Sequence, residues 1–481
     1  VVMRPLVTVL AAALLAACAV GPEHVRPSMA VPAAFSAAPA AAAPASVDVA
    51  FWQGFGDPRL TALVAESLAA NHDLRIAMAR VDRASALLRG TRLDRWPTVD
   101  ASARGASSRA SADEAPGLSR DARDSDTYEA AIGASWELDL FGRVRRGVEA
   151  GEADLGASID DLRALQVVIV GEVATAYFEL RGLQERLRVA TENAGNQQHT
   201  LALVDARRNA GQDSDFDSAR ASAQAASTAA RIPALEAEIR VAAHRIGVLT
   251  GRMPEALLPA LSTAVALPEV PRTIDPGTPA DVLRARPDVA AAEHRLHAAT
   301  ARVGVATADL FPRFTLGGLI GSQAGDLGDL FARGSETRLV ALGIDWSFLD
   351  VGRVRARILA ADADAELELA RYQQTVLRAL EDTANALARF NRAHDEDVEL
   401  ERAARDSGRA ARLARLRFDA GATGLLEVLD AERTQLQAED AFAASRTRTV
   451  TGAVSLYRAL SGGWPQVVPE REMLEGHVSG L

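Results

Sequence analysis

The chain contains no lysine and a single cysteine, and only 5% of its 481 residues are aromatic. Its basic residues are all arginines, and no arginine run is interleaved with aromatic side chains, so a nucleic-acid-binding surface has no footing. One cysteine leaves no partner for a disulfide. Proline is absent between Pro312 and Pro465, so nothing obliges a helix in that stretch to stop. No G-x-S-x-G, Walker-type or H-E-x-x-H pattern occurs, and Gly317-Gly318-Leu319-Ile320-Gly321 lacks a phosphate-loop context. An enzyme reading therefore has no residues to carry it, and no cofactor is expected.

What is present is a plan used twice. Trp136, Gly142-Arg143-Val144-Arg145 and Ala210-Gly211 recur as Trp346, Gly352-Arg353-Val354-Arg355 and Ala420-Gly421, each pair 210 positions apart (346 − 136, 352 − 142, 421 − 211). A stripe at steps of three and four runs through both copies. Ile159, Leu162, Gln166, Val170, Val173, Tyr177 and Leu180 are matched by Leu369, Tyr372, Val376, Leu380, Thr383, Leu387 and Phe390. That period sets one face of a long helix against another helix. From Arg353 to near Asp419 such a helix is about 100 Å long at 1.5 Å per residue, far deeper than a globular core.

Arg4 and the apolar run Leu6 to Ala17 have the make-up of a signal peptide, too short to span a bilayer as a helix. The run ends in Leu15-Ala16-Ala17-Cys18, which resembles a bacterial lipobox and implies that Cys18 becomes the acylated first residue of the mature chain. Ala19 follows where an aspartate suggests inner-membrane retention, which points to the outer membrane. Boundaries follow from composition: a signal peptide (1–17), a lipidated Pro- and Ala-rich tether (18–57), a first repeat (58–252), a proline-rich linker (253–279), a second repeat (280–462) and a tail (463–481). Single helices are expected from Asp57-Pro58 to about Arg95 and from about Ala280 to Leu310, related by an offset of 215 (312 − 97).

Between the helices the period changes to two. Val99, Ala101 and Ala103 alternate with Thr98, Asp100, Ser102 and Arg104. Tyr128, Ile132, Trp136 and Leu138 alternate with Glu129, Ser135 and Glu137. Phe314, Leu316, Gly318 and Ile320, then Val340, Leu342, Ile344, Trp346 and Phe348, repeat the pattern. These are four strands, apolar on one face and small or polar on the other, as in a membrane barrel or in a soluble sheet laid on a core. Four strands cannot close, and an open edge cannot sit in lipid, so a membrane reading requires several chains to share one barrel. The change of offset from 215 to 210 makes the first hairpin loop the longer by about five residues.

Each long helix is interrupted once, at Ala210-Gly211-Gln212-Asp213-Ser214 and at Ala420-Gly421-Ala422-Thr423-Gly424. Glycine ends a helix in the left-handed conformation and Ser214 or Thr423 can cap the next, so both are read as helical hairpin tips lying together at the end far from the strands. Asp213, Asp215 and Asp217 would form an acidic ring in an oligomer. Arg143, Arg145, Arg146, Arg353, Arg355 and Arg357 follow the strands, and either pair with Asp139 and Asp350 or contact lipid headgroups. His294 and His297 stand one turn apart beside Glu293, a spacing that could bind metal, but no further Cys or His lies nearby and a solvated face accounts for them. No metal is expected. Whether Pro233 kinks its helix is open.

Several motifs in fixed order then resemble one family across nearly all of the mature chain. They are Trp52…Phe55-Gly56-Asp57-Pro58, Asn71-His72-Asp73-Leu74, Ala285-Arg286-Pro287-Asp288-Val289, Ala308-Asp309-Leu310-Phe311-Pro312 and Gly424-Leu425-Leu426-Glu427-Val428-Leu429-Asp430-Ala431. They are similar to the outer-membrane factor lipoproteins of tripartite RND-type efflux systems, the NodT and OprM branch of the TolC group. The resemblance implies a mainly α fold with membrane β: a homotrimer with twelve strands in one β-barrel and twelve helices forming an α-barrel tunnel. It implies a passive exit duct for small molecules, a periplasmic adaptor and an inner-membrane pump as partners, and adaptor contact at Gly211, Gln212, Asp213 and Ser214 and at Gly421, Ala422, Thr423, Gly424 and Leu425. Gate candidates are Asp213, Asp215, Asp217 and Thr423. A channel for type I protein secretion and a non-transporting envelope lipoprotein are the alternatives.

Overall fold

The computed structural model describes residues 19–38 and 50–461. Cys18, the signal segment and the 463–481 tail lie outside the described residues. The first repeat holds helices α1 (Pro58–Ala70) and α2 (His72–Leu93), strands β1 (Thr98–Arg109) and β2 (Asp124–Leu138), and helices α3 (Arg143–Asn209), α4 (Asp215–Ala229) and α5 (Arg231–Leu249). The second holds α6 (Pro279–Ala285), α7 (Pro287–Ala308), β3 (Arg313–Ala324), β4 (Glu336–Asp345), α8 (Val351–Asp419) and α9 (Leu425–Ala459). The long helices α3 and α8 have 67 and 69 residues. By contacts the described residues form two compact units, one of residues 19–28, 80–158 and 291–373, the other of residues 29–38, 50–79, 159–290 and 374–461.

The two opening helices, each expected to be single, are both broken, at Asn71 and at Arg286, which are 215 apart (286 − 71). Pro287 has no N–H and pushes Arg286 into extended backbone, φ −80° and ψ 118°. Asn71 reaches φ −61° and ψ 131° without a proline. Its side chain holds the break instead, Oδ1 accepting from the amides of Asp73 at 2.8 Å and Leu74 at 3.2 Å. Each break residue also donates to the last carbonyl of its own repeat's closing helix. Asn71 Nδ2 reaches Leu249 O at 2.9 Å, and an Arg286 guanidinium nitrogen reaches Ala459 O at 3.2 Å. Those carbonyls are 210 apart (459 − 249), so both repeats close with the same clasp. Arg286 further forms a fork on Asp288, at 3.0 and 2.7 Å.

A third break has no counterpart. Helices α4 and α5 meet at Ala230, because Pro233, in the first turn of α5, cannot donate to the carbonyl of Ala229. The matching position in the second repeat is Asp440 (230 + 210), inside the unbroken α9, where it accepts a fork from Arg186 at 2.7 and 3.1 Å.

In the second unit the heptad-like stripe is the buried face: Leu162, Val170, Val173, Tyr177 and Leu180 of α3, with Val376, Thr383, Leu387 and Phe390 of α8. The chain's scarce aromatics concentrate here. Phe51 stacks on Tyr457 at 5.0 Å, and Phe55 meets Phe178 edge-on at 4.9 Å. Asp57 caps α1 through the amides of Arg59 and Leu60 while its other oxygen accepts from the Tyr177 hydroxyl at 2.6 Å. Burial, and then Asp57, push the Tyr177 phenol up to about 12. The Trp-x-x-Phe-Gly-Asp-Pro motif is thus a packing device. Helices α3 and α9 cross closely enough that a side chain at Gly182 would overlap Thr447. The described tether residues of this unit lie on its surface, with Phe35, Ala37 and Ala38 packed against a core that includes Leu387 and Phe390.

In the first unit the strands form one antiparallel sheet in the order β1-β2-β3-β4. The register collects the alternating residues of all four strands on one face. Val99, Ala134, Gly318 and Val340 lie side by side, as do Ala101, Ile132, Ile320 and Arg338, then Trp136, Leu316 and Leu342, then Leu138, Phe314 and Ile344. The other face carries Thr98, Ser135 and Gly317, then Ser102, Ala131, Gly321 and Thr337, then Arg104, Glu129 and Gln323, with the pair Leu319–Leu339 its apolar exception. Ile320, Val340, Leu342 and Ile344 are exposed, so no described part of the chain covers the apolar face.

β4 ends at Asp345, before Trp346 and Phe348, which the alternation places in the strand. The residue facing Trp346 would be Pro312, which has no N–H for the ladder. Both indoles instead donate to the ends of the preceding helical segments, Trp136 to Arg95 O and Trp346 to Leu310 O, each at 3.0 Å. The β1–β2 connection (110–123) exceeds the β3–β4 connection (325–335) by only three residues, 14 against 11. The remaining two of the five lie after the loop: Asp124, where β2 starts, stands 12 positions before Trp136, whereas Glu336, where β4 starts, stands 10 positions before Trp346 (136 − 124, 346 − 336). Of the arginines after the strands, Arg145 and Arg353 pair with the expected Asp139 and Asp350, at 3.1 and 3.4 Å, while Arg143 pairs with Glu137, Arg146 with Glu149 at 2.8 Å and Arg357 with Asp309 at 3.2 Å.

Two outcomes test this packing. Gly182→Val should lower the thermal unfolding midpoint of the detergent-purified protein by the equivalent of about 1–3 kcal/mol, and Thr447→Ala added to it should recover part. Equal midpoints for Gly182→Val and wild type would refute the close crossing. Arg286→Ala, which takes the fork from Asp288 and leaves the Ala459 carbonyl only the Thr383 hydroxyl at 3.4 Å, should cost about 2 kcal/mol, and Arg286→Lys should restore less than half because it cannot form the fork. Full recovery by lysine would mean that charge alone matters there.

Candidate functional site

Both hairpin tips belong to the second unit and share one backbone. After α3, Gln212 N donates to Arg207 O at 2.9 Å and Gly211 N to Arg208 O at 2.9 Å. After α8, Ala422 N donates to Arg417 O at 2.7 Å and Gly421 N to Phe418 O at 2.9 Å. The glycines sit at φ +73° and +68°, the left-handed conformation that this helix ending requires.

The caps differ. Ser214 and Asp217 form a complete capping box at the start of α4, and the Ser214 hydroxyl and amide hold the Asp217 carboxylate below its ordinary value. In the second tip the cap is Gly424, not Thr423, because α9 starts 210 positions after α4 (425 − 215). Gly424 has no side chain to accept a bond, and Glu427 stands where Asp217 stands (427 − 217). Thr423 therefore matches Asp213.

Of the three candidate gate aspartates, two are engaged locally. The Asp213 side chain is 12% exposed, 3.1 Å from Arg207, whose guanidinium lies 4.7 Å over the Phe418 ring and so joins the first tip to the second. Asp217 serves the cap. The Asp215 side chain is 97% exposed, with Arg208 at 3.7 Å. Beneath the turns, Val204, Ala221, Phe418, Leu425, Val428 and Leu429 form one apolar core. Leu425 is thus in that core, whereas Gly211, Gln212, Ser214, Gly421, Ala422 and Gly424 are exposed.

Two sets of residues escaped the sequence reading. Phe216 and Leu426, at matched positions (426 − 216 = 210), are 67% and 55% exposed. Leu203 and Leu413, also matched, are exposed on the outgoing helices. The repeat offset was the available signal, since an apolar residue in the first turn of both returning helices needs a reason to face outward. The second set is a polar seam between the hairpins. Glu432 is fully buried and accepts from Arg415 at 2.7 Å and Thr200 at 2.9 Å, all on one oxygen. Gln197 is buried beside no hydrogen-bond partner, and Asn193 and Gln435 both donate to Glu439, at 2.8 and 2.7 Å. No local motif marks such residues, because their partners lie on other helices.

The tips therefore combine a rigid repeated turn, an exposed apolar patch and a polar seam, which suits reversible docking and sliding of helices more than bond chemistry. Comparison with known proteins identifies the family. The family described as outer membrane efflux protein matches residues 63–252 and 278–462. Outer membrane protein OprJ of Pseudomonas aeruginosa is 32% identical over 474 residues, covering 95% of each chain. The pyoverdine export outer membrane protein OpmQ of Pseudomonas putida is 34% identical over 455 residues, covering 92% of this chain and 94% of its own. The solved outer-membrane channel OprN superposes with a TM-score of 0.87 at 41% identity, over 93% of this chain and 100% of that one. The location is the outer membrane, the role is that of an outer-membrane efflux channel, and the chain belongs to the outer membrane efflux protein family.

Proposed function

We propose that three copies of this chain form the exit duct of a tripartite efflux pump, passive in itself and opened at its helical tips by a periplasmic adaptor that an inner-membrane pump accompanies. The observation that carries the reading is the sheet with two free edges. β1 and β4 each have one partner, and the apolar face between them is uncovered. Hydrocarbon offers no partners for an unpaired backbone, so β1 of one copy has to pair with β4 of the next. Three copies give twelve strands, within the range of membrane barrels. Leu87 and Leu93 on α2, which leads into β1, and Leu359 and Leu367 on α8, which follows β4, are exposed as well, which supports the same neighbour contact along the helices. Lipid on Cys18 anchors each copy, and the tether, two repeats and linker keep the boundaries assigned above.

At the tips, adaptor contact centres on Phe216 and Leu426, framed by Gly211, Gln212, Ser214, Gly421 and Ala422. Asp215 is the member of the acidic set best placed to line a closed ring, while Asp213 and Thr423 set the packing of the two turns. Opening shifts a population between closed and open arrangements, and the energy of transport comes from the pump.

Light scattering of the detergent-purified mature protein, corrected for bound detergent, should give the mass of about three chains. A monomer stable without detergent would end the shared-barrel reading. Phe216→Asp with Leu426→Asp should leave that mass unchanged and reduce complementation of drug tolerance in a deletion strain by about fourfold or more, as loss of interface anchors does. Full complementation by this double variant would exclude the patch as the adaptor contact.

A further inference from the structure

The tether residues directly after the expected lipid-bearing cysteine are built into the first unit. Val20 N donates to Phe141 O at 3.1 Å, and Arg146 Nε donates to Val20 O at 3.3 Å. Gly21 lies so close to Gly304 that a side chain at position 21 would overlap the Gly304 backbone. Arg26 pairs with Glu293 at 3.0 Å. Between these fixed points the His24 ring lies flat on the His297 ring, with centroids 4.5 Å apart and planes 14° apart. His297 Nε2 is 2.9 Å from Glu149, which also accepts from Arg146 at 2.8 Å.

We propose that this strap, residues 19–28, is an acid-released clasp: docked on the start of α3 and on α7 near neutral pH, and freed when His24 takes up a proton against the His297 ring. Neutral imidazoles stack favourably, whereas two imidazolium rings face to face at this separation repel. The counter-charges within reach are already engaged. From α3, Glu149 is shared by Arg146 and His297, and from α7, Glu293 is held by Arg26 of the strap, with His294 adding no negative charge. A second positive charge at His24 therefore has no free carboxylate to meet.

The directions of titration agree with the geometry. Burial, and then His297, lower the His24 imidazole; Glu293 and Glu149 pull it back up and His294 lowers it again, with a net depression below the ordinary 6.5. Burial raises the Glu149 carboxyl, but its bonds to His297 and Arg146 outweigh this, so it stays below its ordinary value. Because docked His24 gives up its proton more readily than free His24, docking is at full strength above the ordinary histidine value and is lost as pH falls below it. Release would lengthen the leash between lipid and channel by the ten residues of the strap (19–28).

Hydrogen exchange of the full-length purified protein in detergent, followed on peptides covering 19–28 and corrected for intrinsic rates, tests this. Protection should fall by about threefold or more between about pH 7.5 and about pH 5.5. His24→Phe, which keeps an aromatic stack without a titrating proton, should hold its protection across that range, and His297→Gln, which removes the second imidazole, should keep most of it. Equal wild-type protection at both pH values overturns the proposal. So does an acid-induced loss in both variants as large as the wild type's.

Discussion

A backbone in hydrocarbon has to find its hydrogen-bond partners within protein, and the sheet of this chain cannot do so alone. Two rows of donors and acceptors, on β1 and β4, are left open. That constraint explains features that would otherwise be defects in a single chain: an apolar face without a core beneath it, exposed leucines beside both edge strands, and indoles fastened to helix ends at the base of the sheet. Each would be an aggregation hazard on a soluble monomer. A shared barrel would turn the open edges toward a neighbouring copy and the apolar face toward lipid.

Below the level of assembly, the repeats are held by the same local chemistry. Each begins with a broken helix and ends with a helix whose last carbonyl is satisfied by the break residue. The chemistry of that clasp has diverged, to a neutral amide in one repeat and a guanidinium with its own carboxylate in the other. The function conserved between the copies is therefore the geometry of closure. The same division recurs at the tips, where the left-handed glycine turn is common to both copies while the capping box, Asp213 and the Pro233 break belong to the first alone.

Much of this was legible beforehand because it is periodic or duplicated. Alternation in four strands, the three-and-four stripe and the 210-residue offset are properties of order along the chain, and each predicted an element that the structure contains. The tips were legible for the same reason. The breaks at Asn71 and Arg286 were not, although Pro287 stood in plain view. An uninterrupted pattern of helix formers hides a single extended residue, and Asn71 has no proline to announce it.

The sequence by itself determined the duplication and the strand faces, since these follow from spacing along the chain. The tertiary structure alone decided which polar residues meet. Glu432 with Arg415 and Thr200, Asp213 with Arg207 under Phe418, and His24 with His297 join positions as far apart as 273 residues (297 − 24). Such pairs depend on the distance between helices, not on distance along the chain. No local pattern constrains them, and only packing can bring them within reach.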